Sequence, residues 1–311
     1  GVSSAASDVY KRQLLVRLPN WVGDVIMALP AIKSLQNAGI PITLLGRPWI
    51  HDLLHGLNIP KLSYPQSQYK AIQCLKACPE KNILLLTNSF SSALNAKLAG
   101  KASFGYAQDG RRVLLNHAIK KPSLVHETDI FHHLATKFLT TSHLHYQSKI
   151  STMLVPQLPL RQEAIEKAQS LLNRHSIDFP YIVLCPFAHG LNRQKQPKKW
   201  PHWPAFAKTI KKYRPIVCPG PKEIEEARKY FPDAIILPNL NLETYAAILK
   251  LASKIIPNDS GPLHMAAAVH QEYAPIGLFG VTPPERTGPK NARILGSAHQ
   301  WPEIHEVLDF L

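Results

Sequence analysis

The side chains in this sequence that could do chemistry cluster where apolar runs end. Residues 14–35 read LLVRLPNWVGDVIMALPAIKSL. LLVRL has the composition of a buried strand and Gly23 permits close backbone approach. Asp24 then opens a segment in which Val25, Ile26, Leu29, Ile32 and Leu35 recur at helical spacing. A carboxylate at a helix start has two uses: it caps the helix by local hydrogen bonding, or it offers charge and basicity to a ligand. Residues 255–269 read IIPNDSGPLHMAAAV, a strand, an NDSG turn and a helix of small residues. Asn258, Asp259, Ser260 and Gly261 fall at the strand tip, where outward backbone N–H groups and a helix dipole suit a diphosphate; the alternative is a plain Asx-capped turn. His264 falls on the first helical turn, facing either a ligand or the core. Residues 186–203, PFAHGLNRQKQPKKWPHW, form a basic loop after another apolar run. Lys198 or Lys199 can act there as a point charge on phosphate oxygens, or the loop is simply solvated. In PGPKEIEEARKY, at 219–230, a turn precedes a helix bearing Glu223, Glu225 and Glu226. One of these carboxylates can accept from ribose hydroxyls, or all can serve the helix dipole.

The elements that must hold these groups alternate. Apolar runs at 14–18, 42–45 and 83–86, then at 181–185, 216–218, 234–237, 254–257 and 276–279, read as strands separated by helical patterns. That alternation implies parallel sheets with crossover helices, whose ligands bind at the strand carboxyl ends. Pro156 and Pro159 lie in a separating segment at 150–160, and a helix is expected over 161–175. The expected organisation is a domain over 14–150 and a second over 151–311, facing each other across a cleft. Residues 1–13 are small and polar and read as a disordered or non-native leader.

Composition limits the function classes. With 311 residues and 45% hydrophobic content the chain can bury more than one core. No apolar run is long enough to cross a bilayer, and the first residues lack the basic-then-apolar pattern of a signal peptide, so a soluble, cytoplasmic protein is expected. The four cysteines have no C-x-x-C spacing and read as reduced thiols. A net charge of +15 attracts anions, but the basic residues are scattered without aromatic interleaving, so nucleic acid is not the expected partner. Dinucleotide-binding, P-loop, nucleophile-elbow and zincin motifs are missing. His126, Glu127, Asp129, His132 and His133 match no metal-ligand spacing and read as a surface helix; no metal site is expected.

WVGDVIMALPAIKSL, LLLTNSFSSALNAKLAG at 84–100, K-x-W-P at 198–201, NDSGPLHMAAA and GLFGVTPPERTGP at 277–289 occur in one order. That order resembles the ADP-heptose:lipopolysaccharide heptosyltransferases of glycosyltransferase family nine, with W-V-G-D and N-S-F-x-S-A nearer the heptosyltransferase II type. The resemblance implies an α/β, GT-B architecture: two Rossmann-like domains with parallel sheets facing a central cleft, acceptor-binding first and nucleotide-sugar-binding second. It implies inverting, cofactor-free and metal-independent transfer of L-glycero-D-manno-heptose from ADP-heptose to the lipopolysaccharide inner core. By the same resemblance Asp24 is the general base and Lys198 stabilises the departing diphosphate. Asp259 contacts the donor sugar, Gly261 and His264 stand beside the phosphates, Ser260 is a further donor-binding residue of that turn, and Glu223 binds the ribose. Arg47, Arg111 and Arg112 are expected to meet an anionic acceptor of Kdo or heptose on lipid A, with peripheral contact at the inner face of the inner membrane. The chain departs from the family between His189 and Lys198, where a longer basic insertion replaces the usual short spacing. The rival readings are a transferase using another nucleotide sugar and a noncatalytic protein that binds anions or nucleic acid.

Overall fold

The structure, a computed structural model, describes residues 13–123, 126–142, 154–192, 194–270 and 272–311. The expected leader, up to residue 12, and residues 150–153 of the expected separating segment lie outside the described residues. The chain forms two compact units. One holds the described residues up to His51 and those of Leu57–Pro156; the other holds Asp52–Gly56 and the described residues from Gln157 to Leu311.

The first unit is built on a six-stranded sheet of β1 (Leu14–Arg17), β2 (Ile42–Gly46), β3 (Lys61–Ser63), β4 (Asn82–Leu85), β5 (Ala102–Tyr106) and β6 (His117–Ile119). Every neighbouring pair is parallel, in the order β3-β2-β1-β4-β5-β6. All four residues of β1 are buried, as a central strand covered on both faces requires. The chain runs outward from β1 through β3, then returns to the other side of β1 as β4, so the switch point lies between β1 and β4.

The second unit repeats this plan with β7 (Ile182–Cys185), β8 (Ile216–Val217), β9 (Ile235–Ile236), β10 (Lys254–Pro257), β11 (Ile276–Phe279) and β12 (Arg293–Gly296). One parallel sheet runs β10-β7-β8-β9, and β11 pairs with β12. A parallel bridge between Asn258 and Leu278 carries the order from β10 into β11. The switch point here lies between β7 and β10. Both units are thus α/β with parallel sheets, as the resemblance implies.

Four strands have no counterpart among the sequence expectations: β3, β5, β6 and β12. Three of these edge their sheets and are only partly buried, reading KLS, HAI and RILG, too short or polar to leave an apolar run. The fourth, ASFGY, carries small residues in place of a β-branched run. The helical pattern after Asp24 is two helices, Val22–Met27 and Leu29–Asn37, meeting at Ala28. Pro30 causes the division, because a residue without an N–H cannot continue the first helix's ladder.

The histidine-rich helix Glu127–Thr141 is not a surface helix throughout. It buries Ile130, Phe131, Leu134, Phe138 and Leu139, and packs on Leu29–Asn37. His132 Nε2 lies 3.0 Å from Ser34 Oγ, and Tyr106 O–H is 2.9 Å from His133 Nδ1. Burial pulls both imidazoles below their ordinary pKa.

In the second unit Trp200, Trp203, Phe206 and Phe231 form an edge-to-face aromatic cluster, with Trp200 and Trp203 centroids 5.2 Å apart. Each such pair adds roughly 0.5–1.5 kcal/mol to ordinary burial. The cluster anchors the end of the basic loop to the sheet. Segment Asp52–Gly56 joins this unit through two contacts. A Cβ at Gly56 would stand 2.1 Å from the Pro159 carbonyl oxygen, so only glycine allows that approach. His55 Nδ1 lies 3.5 Å from Glu243 Oε2.

Glu243 is buried and held by Arg161, whose Nε donates to Oε1 at 3.0 Å and Nη2 to Oε2 at 2.7 Å. Burial alone would raise this carboxyl, but the Arg161 bonds outweigh it and hold Glu243 below the ordinary carboxylate value. A depressed folded pKa contributes stability above the unfolded value that is lost as pH falls through the folded one. The urea midpoint of the parent is therefore expected to drop between about pH 5 and about pH 2, and that of Glu243→Gln to drop less steeply. Parallel curves for the two proteins would remove Glu243 from the acid response.

Candidate active site

In the first unit the residues expected at the site follow the carboxyl ends of β1 (Asp24), β2 (Arg47) and β5 (Arg111 and Arg112). Asp24 is not a helix cap: the N-cap of Val22–Met27 is Trp21, and Asp24 is the third helical residue, half-buried. Its charge still favours the helix N-terminus. The turn leading to it is organised by Arg17, the last residue of β1, which is 4% exposed. The Arg17 guanidinium donates to the Leu18 carbonyl and, at 2.7 Å, to Asn20 Oδ1. It also stacks on Tyr64, 4.2 Å from the ring centroid, and Tyr64 O–H accepts from Asn95 Nδ2 at 2.9 Å. Burial pulls the Arg17 pKa down to about 10, with Arg47 adding to the effect. Arg47 is half-buried and its guanidinium faces the Gln66 carboxamide, whose oxygen accepts from it at 3.2 and 3.3 Å once the amide is turned over, and Arg112 is exposed.

Arg111 does not fit the role expected of it. Its side chain is fully buried, donating from Nε to Tyr106 O at 2.7 Å and from Nη1 to Thr87 O at 2.6 Å. Nη2 reaches Asn88 Oδ1 at 3.3 Å. A guanidinium spent on carbonyls in this way holds the loop after β4 to the end of β5; it does not present itself to an acceptor.

In the second unit two loops meet at Asp259, which is 4% exposed. Lys198 Nζ donates to Asp259 Oδ2 at 2.8 Å, and Thr282 Oγ1 donates to the same oxygen at 2.6 Å. Asp259 Oδ1 enters neither bond. Lys198 and Lys199 have different partners. Lys199 pairs with Glu226 and lies over the Phe187 and Tyr230 rings, so Lys198 alone of the two reaches the NDSG turn.

That turn is a continuation of the sheet. Asn258 N–H donates to Cys185 O at 3.3 Å and Asp259 N–H to Leu278 O at 3.1 Å. Two of the N–H groups expected to point outward are therefore used by the ladder, which does not take those of Ser260 and Gly261. Ser260 is the N-cap of helix Gly261–Val269, and His264 within it is buried. Asn258, fully buried, ties the loops together. Its Oδ1 accepts from Trp200 N–H at 3.0 Å and Trp203 Nε1 at 3.1 Å, and its Nδ2 donates to Pro186 O at 2.7 Å.

Glu223 caps Ile224–Tyr230, accepts from Gly220 N–H at 2.7 Å through Oε2, and lies 2.6 Å from His189 Nε2 through Oε1. Glu225 is exposed. Neither Thr282, which lies in the GLFGVTPPERTGP motif, nor His189, which begins the basic insertion, is among the residues expected to bind the ligand. The available signal for Thr282 was its place just past a predicted strand end. Among the described residues no group of three His, Cys, Asp or Glu side chains could hold a metal ion. A pocket beside Pro204, Lys208, Tyr230 and Asp233 lies at the amino ends of β8 and β9, opposite the strand tips that carry these groups.

A family profile described as Glycosyltransferase family 9 (heptosyltransferase) matches residues 69–307. Lipopolysaccharide heptosyltransferase 2 of Escherichia coli K12 is 25% identical over 313 residues, covering 89% of this chain and 85% of that protein. The solved structure of E. coli ADP-heptose lps heptosyltransferase II superposes with a TM-score of 0.74 at 22% identity, covering 96% of each chain. E. coli heptosyltransferase WaaC with ADP gives 0.72 at 19% identity, covering 96% of this chain and 98% of that one.

Asn258→Ala strands two buried donors and a carbonyl at once. Each orphaned group costs about 1–3 kcal/mol, so chemical denaturation is expected to show a loss of at least about 2 kcal/mol. A loss below about 0.5 kcal/mol, the level of an ordinary surface change, would contradict this role.

Proposed function

The chain belongs to glycosyltransferase family 9, and on that premise we propose that this glycosyltransferase moves L-glycero-D-manno-heptose from ADP-heptose to the lipopolysaccharide inner core, with inversion. The observation that carries the donor side is the convergence of Lys198 and Thr282 on one oxygen of Asp259 at the switch point of the second unit. Asp259 Oδ1 then accepts from donor-sugar hydroxyls. Lys198 neutralises the diphosphate as the anomeric C–O bond breaks, with the N–H groups of Ser260 and Gly261 and the side chain of His264 beside the phosphates. Glu223 exchanges its exposed His189 partner for ribose hydroxyls. Because ADP carries its own negative charge, a lysine and backbone N–H groups supply the positive field without a metal.

Asp24 acts as the base. It precedes the region matched by the family profile and is assigned from its motif and its place at the switch point of the first sheet. The acceptor hydroxyl oxygen attacks the anomeric carbon, its proton passes to the Asp24 carboxylate, and ADP departs with the bonding pair. Base catalysis of this kind contributes about 10²–10⁴-fold. Arg47 and Arg112 face Kdo or phosphate groups of the acceptor. No helix among the described residues is long and apolar enough to cross a membrane. With a net charge of +15, contact with the inner face of the inner membrane is peripheral and salt-sensitive.

The test is transfer from ADP-heptose onto defined truncated lipopolysaccharides, in competition with UDP- and GDP-sugars. ADP-heptose is expected to be used in preference, and preference for another nucleotide sugar would replace the donor assignment. Asp24→Asn is expected to lower kcat by about 10²–10⁴-fold with ADP affinity retained. Unchanged turnover would remove Asp24 from the mechanism. Turnover is expected to survive exhaustive treatment with EDTA, and loss restored by a divalent cation would contradict the metal-free reading.

A further inference from the structure

The basic loop between His189 and Lys198 is organised by its own hydrogen bonds. Leu191 and Pro197 pair across an antiparallel bridge. Asn192 N–H donates to Gln196 O at 3.0 Å, Lys195 N–H to Asn192 O at 3.1 Å, and Lys198 N–H to Gly190 O at 3.3 Å. The described residues on either side of 193 are thus paired as two antiparallel arms, the second ending on Lys198.

Asn192 is their hub. Its Oδ1 accepts from Gln196 N–H at 2.8 Å, and its Nδ2 donates to Gln196 Oε1 at 2.7 Å and to Val281 O at 3.0 Å. Asn192 is half-buried while Leu191, Lys195, Gln196 and Pro197 are exposed. The bond to Val281 crosses to another loop, one residue before Thr282. Lys198 and Thr282 are the two donors on Asp259 Oδ2. One carboxamide therefore links the two loops from which those donors come. The chemistry suits an amide, which supplies two N–H donors and an acceptor in one plane; aspartate has no donor and serine has one.

We infer that Asn192 is a positioning residue for the donor diphosphate, acting through Lys198. The inference rests on the reading of Lys198 and Asp259 as donor-binding groups. Without the Val281 bond the paired arms keep their backbone ladder but lose their register against the Thr282 loop, and Lys198 loses its fixed approach. A displacement of about 1 Å in a positioned group can cost about 10²-fold.

The experiment is a double-mutant cycle read by ADP titration calorimetry and by kcat/KM, on the parent, Asn192→Ala, Lys198→Met and the double variant. Asn192→Ala is expected to weaken ADP binding about tenfold and to lower kcat/KM by about 10- to 100-fold. In the Lys198→Met background the same replacement is expected to change ADP affinity by less than about twofold, because coupled residues are not additive. Losses that add, or an Asn192→Ala protein with unchanged affinity, overturn the positioning role while the effect of Lys198→Met leaves the donor reading standing. A Lys198→Met protein that binds ADP as the parent does overturns the donor reading and this inference with it. Should Asn192→Ala fail to fold, Asn192→Ser enters the same cycle with the same expected coupling and the same contrary results.

Discussion

Asp259 is 4% exposed, and a carboxylate so placed must find partners or cost several kcal/mol in lost hydration. Its partners come from distant parts of the second unit: Lys198 from the loop after β7 and Thr282 from the loop after β11. Meeting that requirement fixes both loops against the turn after β10. Asn258 supports the same junction from beneath, taking N–H groups from two tryptophans of the aromatic cluster. The end of the basic loop is thereby tied to the sheet, with Lys198 at the turn after β10. The carboxylate also keeps one oxygen outside these bonds, so the group that organises the loops can contact a ligand.

The parallel sheets explain why the chemistry collects where it does. In each unit the strand order reverses once, between β1 and β4 and between β7 and β10, and loops on either side of a switch point diverge to leave a crevice. Asp24 follows β1; Lys198 follows β7, and Asp259 follows β10. The pocket beside Tyr230 and Asp233 sits at the opposite strand ends.

Central strands were legible in the sequence because burial on both faces demands continuous apolar runs: β10 and β11 match expectation residue for residue. Edge strands such as KLS and HAI left no such trace, since half of each faces solvent. The types of site residue could be read from motifs at strand ends, but not their pairings. Lys198 and Asp259 are 61 positions apart, and nothing local to either decides whether Lys198 or Lys199 makes the bond. Arg111 shows the converse limit. An arginine beside a second arginine reads as surface charge, yet a cluster of backbone carbonyls can bury its guanidinium completely. Asp24 keeps its place at the start of a helix but not as its cap, because Trp21 occupies that position.

The most direct test of the donor assignment is a crystal structure with ADP bound. The β-phosphate is expected within about 3 Å of Lys198 Nζ, over the N–H groups of Ser260 and Gly261, with Glu223 on the ribose. ADP seated at the amino ends of β8 and β9 beside Tyr230 and Asp233, or bound with Lys198 still turned away from its phosphates, would contradict the account.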